Sequence, residues 1–204
     1  MNLILGSSSP RRINILKNAG YNFKIIKPET DEINSGTSGH VLFINVINKL
    51  YSVYAKLKNP DDKSIISFDT IVVYKNKILG KPRSLFEAGG MLTLLNGKKH
   101  FVKTICIKFT RIEKFGLNQK LTNIYYYLKY ILLNRLNKIK FNNKVKNIFF
   151  NKNNYIKIKT YISAVYFKKY NDKFIKNYVD NEKNILDAAG AYKIQEGGVR
   201  FIKK

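Results

Sequence analysis

The chain has 204 residues, 45% of them hydrophobic, which suits one sizeable globular domain or one domain with an insertion. No run of about eighteen apolar residues is present, which argues against a spanning helix. The single cysteine, Cys106, excludes an internal disulfide and fits a reducing, cytoplasmic setting. The formal net charge is +25. Lysine and asparagine are scattered without aromatic–basic interleaving on one face, which favours compositional drift over a nucleic-acid-binding face; the densest stretch, Asn134 to Lys159, is the exception.

Met1 to Leu5 leads directly into a strand, with no basic and apolar leader, so no secretory signal is expected. Leu3-Ile4-Leu5 reads as that buried strand. Ser9 then takes an N-cap position and Pro10 the first helical position, with Ile13, Leu16 and Ala19 at helical spacing and Gly20 ending the run. Phe23 to Ile26 is a second strand and Asn34 to Gly39 a polar loop. Val41 to Leu57 reads as an amphipathic helix containing Lys49, and Asn59-Pro60-Asp61-Asp62 as a turn. Ser64 to Tyr74 is a buried strand or a bent pair of strands, Ile78-Leu79 a short return. Ser84 to Glu87 matches a capping box, opening a helix that runs to Gly97.

His100 to Phe109 and Tyr155 to Phe167 read as strands, Asp172 to Asn181 as a helix, and Val199 to Ile202 as a last strand. Strands alternating with helices predict an α/β domain. The segment 111–154 stands apart as aromatic, apolar and basic by turns. A helix is expected over Tyr127 to Leu136, and the remainder reads as a disordered or partly ordered low-complexity insertion.

Several residues point to chemistry. GSSSPRR, Gly6 to Arg12, is a small-residue turn between a strand and a helix, a place where unpaired N–H groups favour an anion. Arg11 and Arg12 fall in the first helical turn, which disfavours cations unless an anion arrives. An ordinary capped helix with solvated arginines is the alternative. Acids are scarce, 13 in all, so Asp31-Glu32 and Asp69 stand out. Asp69 lies inside an apolar run and is either at a strand end facing a cleft or buried with a partner. Carboxylates with phosphate suit Mg²⁺. Lys81, between Gly80 and Pro82, is fixed by a restricted backbone and suits a phosphate contact. In Asp187 to Gln195, DAAGAYKIQ, small residues allow close approach and Gln195 offers an amide for a base edge, against a plain tight turn under Tyr192. His40 and His100 lack ligand partners at metal spacing, the serines lack a nearby histidine, and Cys106 reads as inert core.

These segments together resemble the Maf family of nucleoside triphosphate pyrophosphatases. The motifs occur in family order: SSSPRR at Ser7 to Arg12, DE at Asp31-Glu32, FDTIV at Phe68 to Val72, LGKP at Leu79 to Pro82, Glu87 to Thr104, and DAAGAYKIQ. The resemblance covers Leu3 to Phe109 and Tyr161 to Ile202. It implies an elongated mixed sheet flanked by helices, with two lobes and a cleft. It also implies hydrolysis of a nucleoside triphosphate to the monophosphate and pyrophosphate with a divalent cation, Mg²⁺, Mn²⁺ or Co²⁺, and admits a homodimer. By the family pattern Asp69 is the general base and, with Glu32, a metal-site acid, while Ser9, Arg12, Lys49 and Lys81 bind phosphate.

One branch of the family acts on dTTP and UTP, another prefers 7-methyl-GTP. The chain resembles the first at Arg11, Thr70 and Gln195, where the second has Trp, Gln and a residue other than Gln. It departs from the pattern at Ala188, usually Lys or Arg, and at Glu196, usually Gly. The expectation is one Maf-like domain over 1–204, with a basic insertion at about 111–154 and without the usual GLP-containing C-terminal segment. The alternatives are a catalytically impaired nucleotide- or RNA-binding relative, and a scaffold whose insertion binds a partner.

Overall fold

The alternation of buried and part-exposed residues along Ile65 to Thr70 is that of a strand packed on one face, and the chain is built around it. The computed structural model describes residues 2–58, 63–111, 145–149, 154–182, 184–194 and 197–203. Among these are strands β1 (Asn2–Gly6), β2 (Phe23–Ile25), β3 (Lys63–Tyr74), β4 (Lys77–Leu79), β5 (Lys99–Arg111), β6 (Val145–Phe149) and β7 (Asn154–Tyr166). The α-helices are α1 (Pro10–Asn18), α2 (Ser38–Ala55), α3 (Leu85–Leu95) and α4 (Asp172–Asn181). The strands form one seven-stranded sheet, in the order β2-β1-β3-β5-β7-β6, with β4 on β3. β1 is parallel to β2 and β3, and β4 and β6 are antiparallel to β3 and β7. The expected α/β class with a mixed sheet and flanking helices is therefore present. No helix among the described residues is long and apolar enough to cross a membrane.

The chain divides into two compact units, 1–69 with 104–160, and 70–103 with 161–204. In the first, α1 and α2 supply the crossovers that parallel neighbours of β1 require. The Thr37 hydroxyl accepts the His40 N–H and caps α2. Leu5, Leu42, Val46, Val53, Ile65 and Ile107 are buried in its core. Gly6 permits the closest approach there: a Cβ would stand 2.5 Å from Ser67 Oγ and 3.0 Å from Val53 Cγ2. With no side chain at Gly6, α2 settles directly onto β1 and β3.

In the second unit, Ala88, Leu92 and Leu95 of α3 pack with Ile175 and Val179 of α4 in one apolar cluster. Aromatic rings complete it: Phe167 stacks on Phe201 at 5.1 Å and meets Tyr192 at 4.9 Å. His100 is fully buried, joined by Nε2 to the Tyr192 hydroxyl at 2.8 Å. Ser84 caps α3 through the Glu87 N–H, while the Glu87 carboxylate accepts from the Arg83 N–H rather than from Ser84, one residue off the expected capping box.

Val199 to Ile202 is not a strand. Gly197–Phe201 form a 3₁₀ turn, and only Ile202 bridges to Phe167. The cause is Gly198, which lies so close to the Lys193 backbone that a Cβ would be 2.5 Å from its carbonyl oxygen, and this curls the chain. Within 111–154, β6 is paired with β7. The expected helix over Tyr127 to Leu136 lies outside the described residues.

Burial pushes the His100 imidazole down to about 4. Its native pKa is below the unfolded value of about 6.5, so the stability that His100 contributes is present above pH 6.5 and lost as pH falls towards 4. Thermal unfolding across that range should show the loss in the wild type and a flatter profile in His100→Phe; an unchanged slope in the variant would assign the loss elsewhere. Gly190 has φ +70° and a Cβ there would sit 2.7 Å from Val72 Cγ2. Gly190→Ala should cost about 1–3 kcal/mol, read as a lower midpoint in urea unfolding.

Candidate active site

The turn after β1 is organised by Ser7 rather than Ser9. Ser7 is buried, and its hydroxyl oxygen accepts both the Ser9 N–H and Arg12 Nη1, each at 3.2 Å. Ser9 occupies the N-cap position of α1 and Pro10 the first helical position, as expected, but the Ser9 side chain makes no capping bond. Pro10 has no N–H, and those of Arg12 and Ile13 go to the Ser9 carbonyl at 3.1 Å. The backbone donors at this helix end are thus largely consumed, and the positive charge is carried by side chains. Arg12 lies over the Phe68 ring at 5.3 Å and donates to the Phe68 carbonyl at 3.5 Å. Burial lowers the Arg12 pKa, while Asp69 and Glu32 oppose the shift. Arg11 is half-buried in the same turn.

Asp69 lies within β3, not at its end, and is buried. Of the two readings of this aspartate, burial with a partner is the one found. Lys49 Nζ donates to Asp69 Oδ1 at 2.5 Å and lies 2.7 Å from Glu32 Oε1. Asn45, one helical turn before Lys49, donates to Asp69 Oδ2 at 3.4 Å. Burial pushes the Asp69 carboxyl up from its ordinary range; the charge and hydrogen bond of Lys49 hold it back.

Of the residues singled out from sequence, Glu32, Lys49 and Asp69 are joined directly, with Arg12 bonded to the residue preceding Asp69. Thr70 and Lys81 belong to the second unit. There Lys81 is exposed, and the Gly80 carbonyl before it accepts the Gly190 N–H at 2.9 Å, so the LGKP and DAAGAY turns are tied together. Gln195 lies outside the described residues. Sequence reading missed Ser7 and Asn45. The one available signal for Asn45 was a lone amide among Val41, Leu42, Phe43, Val46 and Ile47. Cys106 is half-buried with its thiol pushed up to about 12 by burial, in keeping with inert core.

No group of three or more His, Cys, Asp or Glu among the described residues is placed to hold a metal. Glu32 and Asp69 nevertheless converge on one cationic nitrogen. Two carboxylates, completed by phosphate and water, form the oxygen set that Mg²⁺ accepts, so the donor chemistry fits a divalent cation. Removing Lys49 leaves both carboxylates without their common counter-charge. Lys49→Met should destabilise the fold by about 3–5 kcal/mol at neutral pH. The deficit should shrink as pH falls, because Asp69, already raised, tolerates burial once protonated; unfolding midpoints at pH 8 and pH 5 check this.

The family model described as "Maf-like protein" matches residues 2–124 and 142–204. A Dictyostelium discoideum protein named nucleoside triphosphate pyrophosphatase is 36% identical over 72% of this chain and 70% of its own length. Two proteins named dTTP/UTP pyrophosphatase, from Thermosipho melanesiensis and Clostridioides difficile, are 42% and 44% identical over 51% of this chain. The matches span about half the length of these two, 54% and 53%. With motifs in order, a mixed α/β sheet and a family match over most of its length, the chain belongs to the Maf family.

Proposed function

We propose that the chain hydrolyses nucleoside triphosphates, dTTP and UTP foremost, to the monophosphate and pyrophosphate, a house-cleaning of nucleotide pools. The observation that carries this reading is the convergence of Glu32 and buried Asp69 on Lys49, beside an Arg12 held on Phe68. The names of its relatives support the substrate class. The lone Cys106 fits a reducing cytoplasm.

Asp69 accepts a proton from the attacking water, a role suited to a carboxylate raised above its ordinary range. The new bond forms at the α-phosphorus, the bond to the bridging oxygen breaks, and pyrophosphate departs with the electron pair. Arg12 and Lys81 neutralise charge on the leaving group, and Lys49 and Ser9 bind the phosphate chain. A divalent cation, Mg²⁺, Mn²⁺ or Co²⁺, held by Glu32 and Asp69, supplies Lewis-acid charge at the phosphate oxygens when bound. Arg11, Thr70 and Gln195 select the pyrimidine base.

A second reading, an RNA-binding relative with impaired catalysis, rests on the net charge of +25 and on the changes at Ala188 and Glu196. In that case affinity for RNA falls steeply with salt and no triphosphate turns over. Under the leading reading, Asp69→Asn lowers pyrophosphate release from UTP by about 10²-fold or more, with the circular dichroism spectrum retained. Near-wild-type release from that variant would sink the assignment. A panel of ordinary and modified triphosphates scored for pyrophosphate with each metal should rank dTTP and UTP first.

A further inference from the structure

Residues 26–37, which carry Glu32, contain neither helix nor strand, so the sheet does not fix where this carboxylate stands. Bonds that hold the segment come from one face of α2 and its C-cap residue, Lys56. Asn45, Lys49, Ser52 and Lys56 recur at spacings of four, three and four, which places them on one helical face. Each meets the segment in turn, in the reverse direction. Lys56 Nζ donates to the Lys27 carbonyl at 2.9 Å and pairs with Glu29 at 2.8 Å. The Ser52 hydroxyl accepts the Glu29 N–H at 2.8 Å. Lys49 pairs with Glu32. Asn45 closes the series by accepting the Ile33 N–H at 2.9 Å and donating to the Ile33 carbonyl at 3.1 Å.

Asn45 is the decisive rung. It is only 2% exposed and lies among apolar neighbours on α2, where an unsatisfied amide is costly. Only its oxygen can accept the Ile33 N–H, which fixes the amide orientation and aims its NH₂ at the Ile33 carbonyl and Asp69 Oδ2. One side chain therefore grips both the residue following Glu32 and the carboxylate of Asp69.

We infer that Asn45 is a positioning residue, the end of a ladder with Ser52 and Lys56 that lays residues 27–33 along α2 and so delivers Glu32 beside Asp69. Its catalytic consequence rests on the pyrophosphatase reading; the ladder does not. The test is residue-resolved amide hydrogen exchange on the full chain, with kcat and KM for UTP measured alongside. In the wild type the Ile33 and Glu29 amides are protected. Asn45→Ala should speed exchange at Ile33 about tenfold or more, and lower kcat about 10²-fold with little change in KM.

Ser52→Ala, farther from the carboxylates, should speed exchange at Glu29, leave the β3 amide of Ile65 unchanged, and lower kcat less. It decides the matter if Asn45→Ala fails to fold. Wild-type protection of Ile33 in Asn45→Ala, or of Glu29 in Ser52→Ala, overturns the ladder. Faster exchange with wild-type kcat overturns the positioning role. A wild-type protein that releases no pyrophosphate from any triphosphate defeats the functional reading instead, and the exchange result still decides the ladder.

Discussion

A carboxylate inside a buried strand is stable only if a cation comes to it, and in this chain the cation comes from α2. Lys49 reaches Asp69 because α2 lies close on the sheet, and α2 lies close because Gly6 offers no side chain and Val53 fills the space above it. Once the ammonium is in place, Glu32 has a partner at the same nitrogen. The packing of an apolar helix and the gathering of charge are thus one event. In a chain of 38 basic and 13 acidic residues, two of the scarce acids are committed to one lysine, which concentrates negative charge at a single point on a strongly positive molecule.

The opposite sign is handled differently. Arg12 is held by the ring of Phe68, by a main-chain carbonyl and by the Ser7 hydroxyl, while Asp69 and Glu32 oppose the lowering of its pKa by burial. Burial on both sides of the charge balance is what separates this region from the scattered lysines elsewhere.

Much of this was legible in the residues. The strand–turn–helix at GSSSPRR, the long β3 and the helix from Asp172 follow from apolar runs, proline placement and capping residues, which act locally. The importance of Glu32 and Asp69 was visible because acids are rare and Asp69 interrupts an apolar run. The roles of Ser7 and Asn45 were not, since a serine in a run of three carries no local mark, and an amide among apolar helix residues does not say what it bonds. Their bonds go to main-chain groups set by tertiary approach. The misread strand at Val199 failed for a related reason: β propensity there is overridden by a backbone contact at Gly198.

The second unit is assembled from two stretches far apart in the chain, and Phe201 sits where its aromatic rings meet. Phe201 contacts Phe167, Tyr170, Phe174 and Tyr178, and its carbonyl accepts the Lys168 N–H at 2.7 Å. During synthesis, α3 with Leu92 and Leu95 emerges long before these partners. The apolar face of α3 therefore has no aromatic cover until the residues around Phe201 have been made, so the core of the second unit closes only after both of its stretches are synthesised.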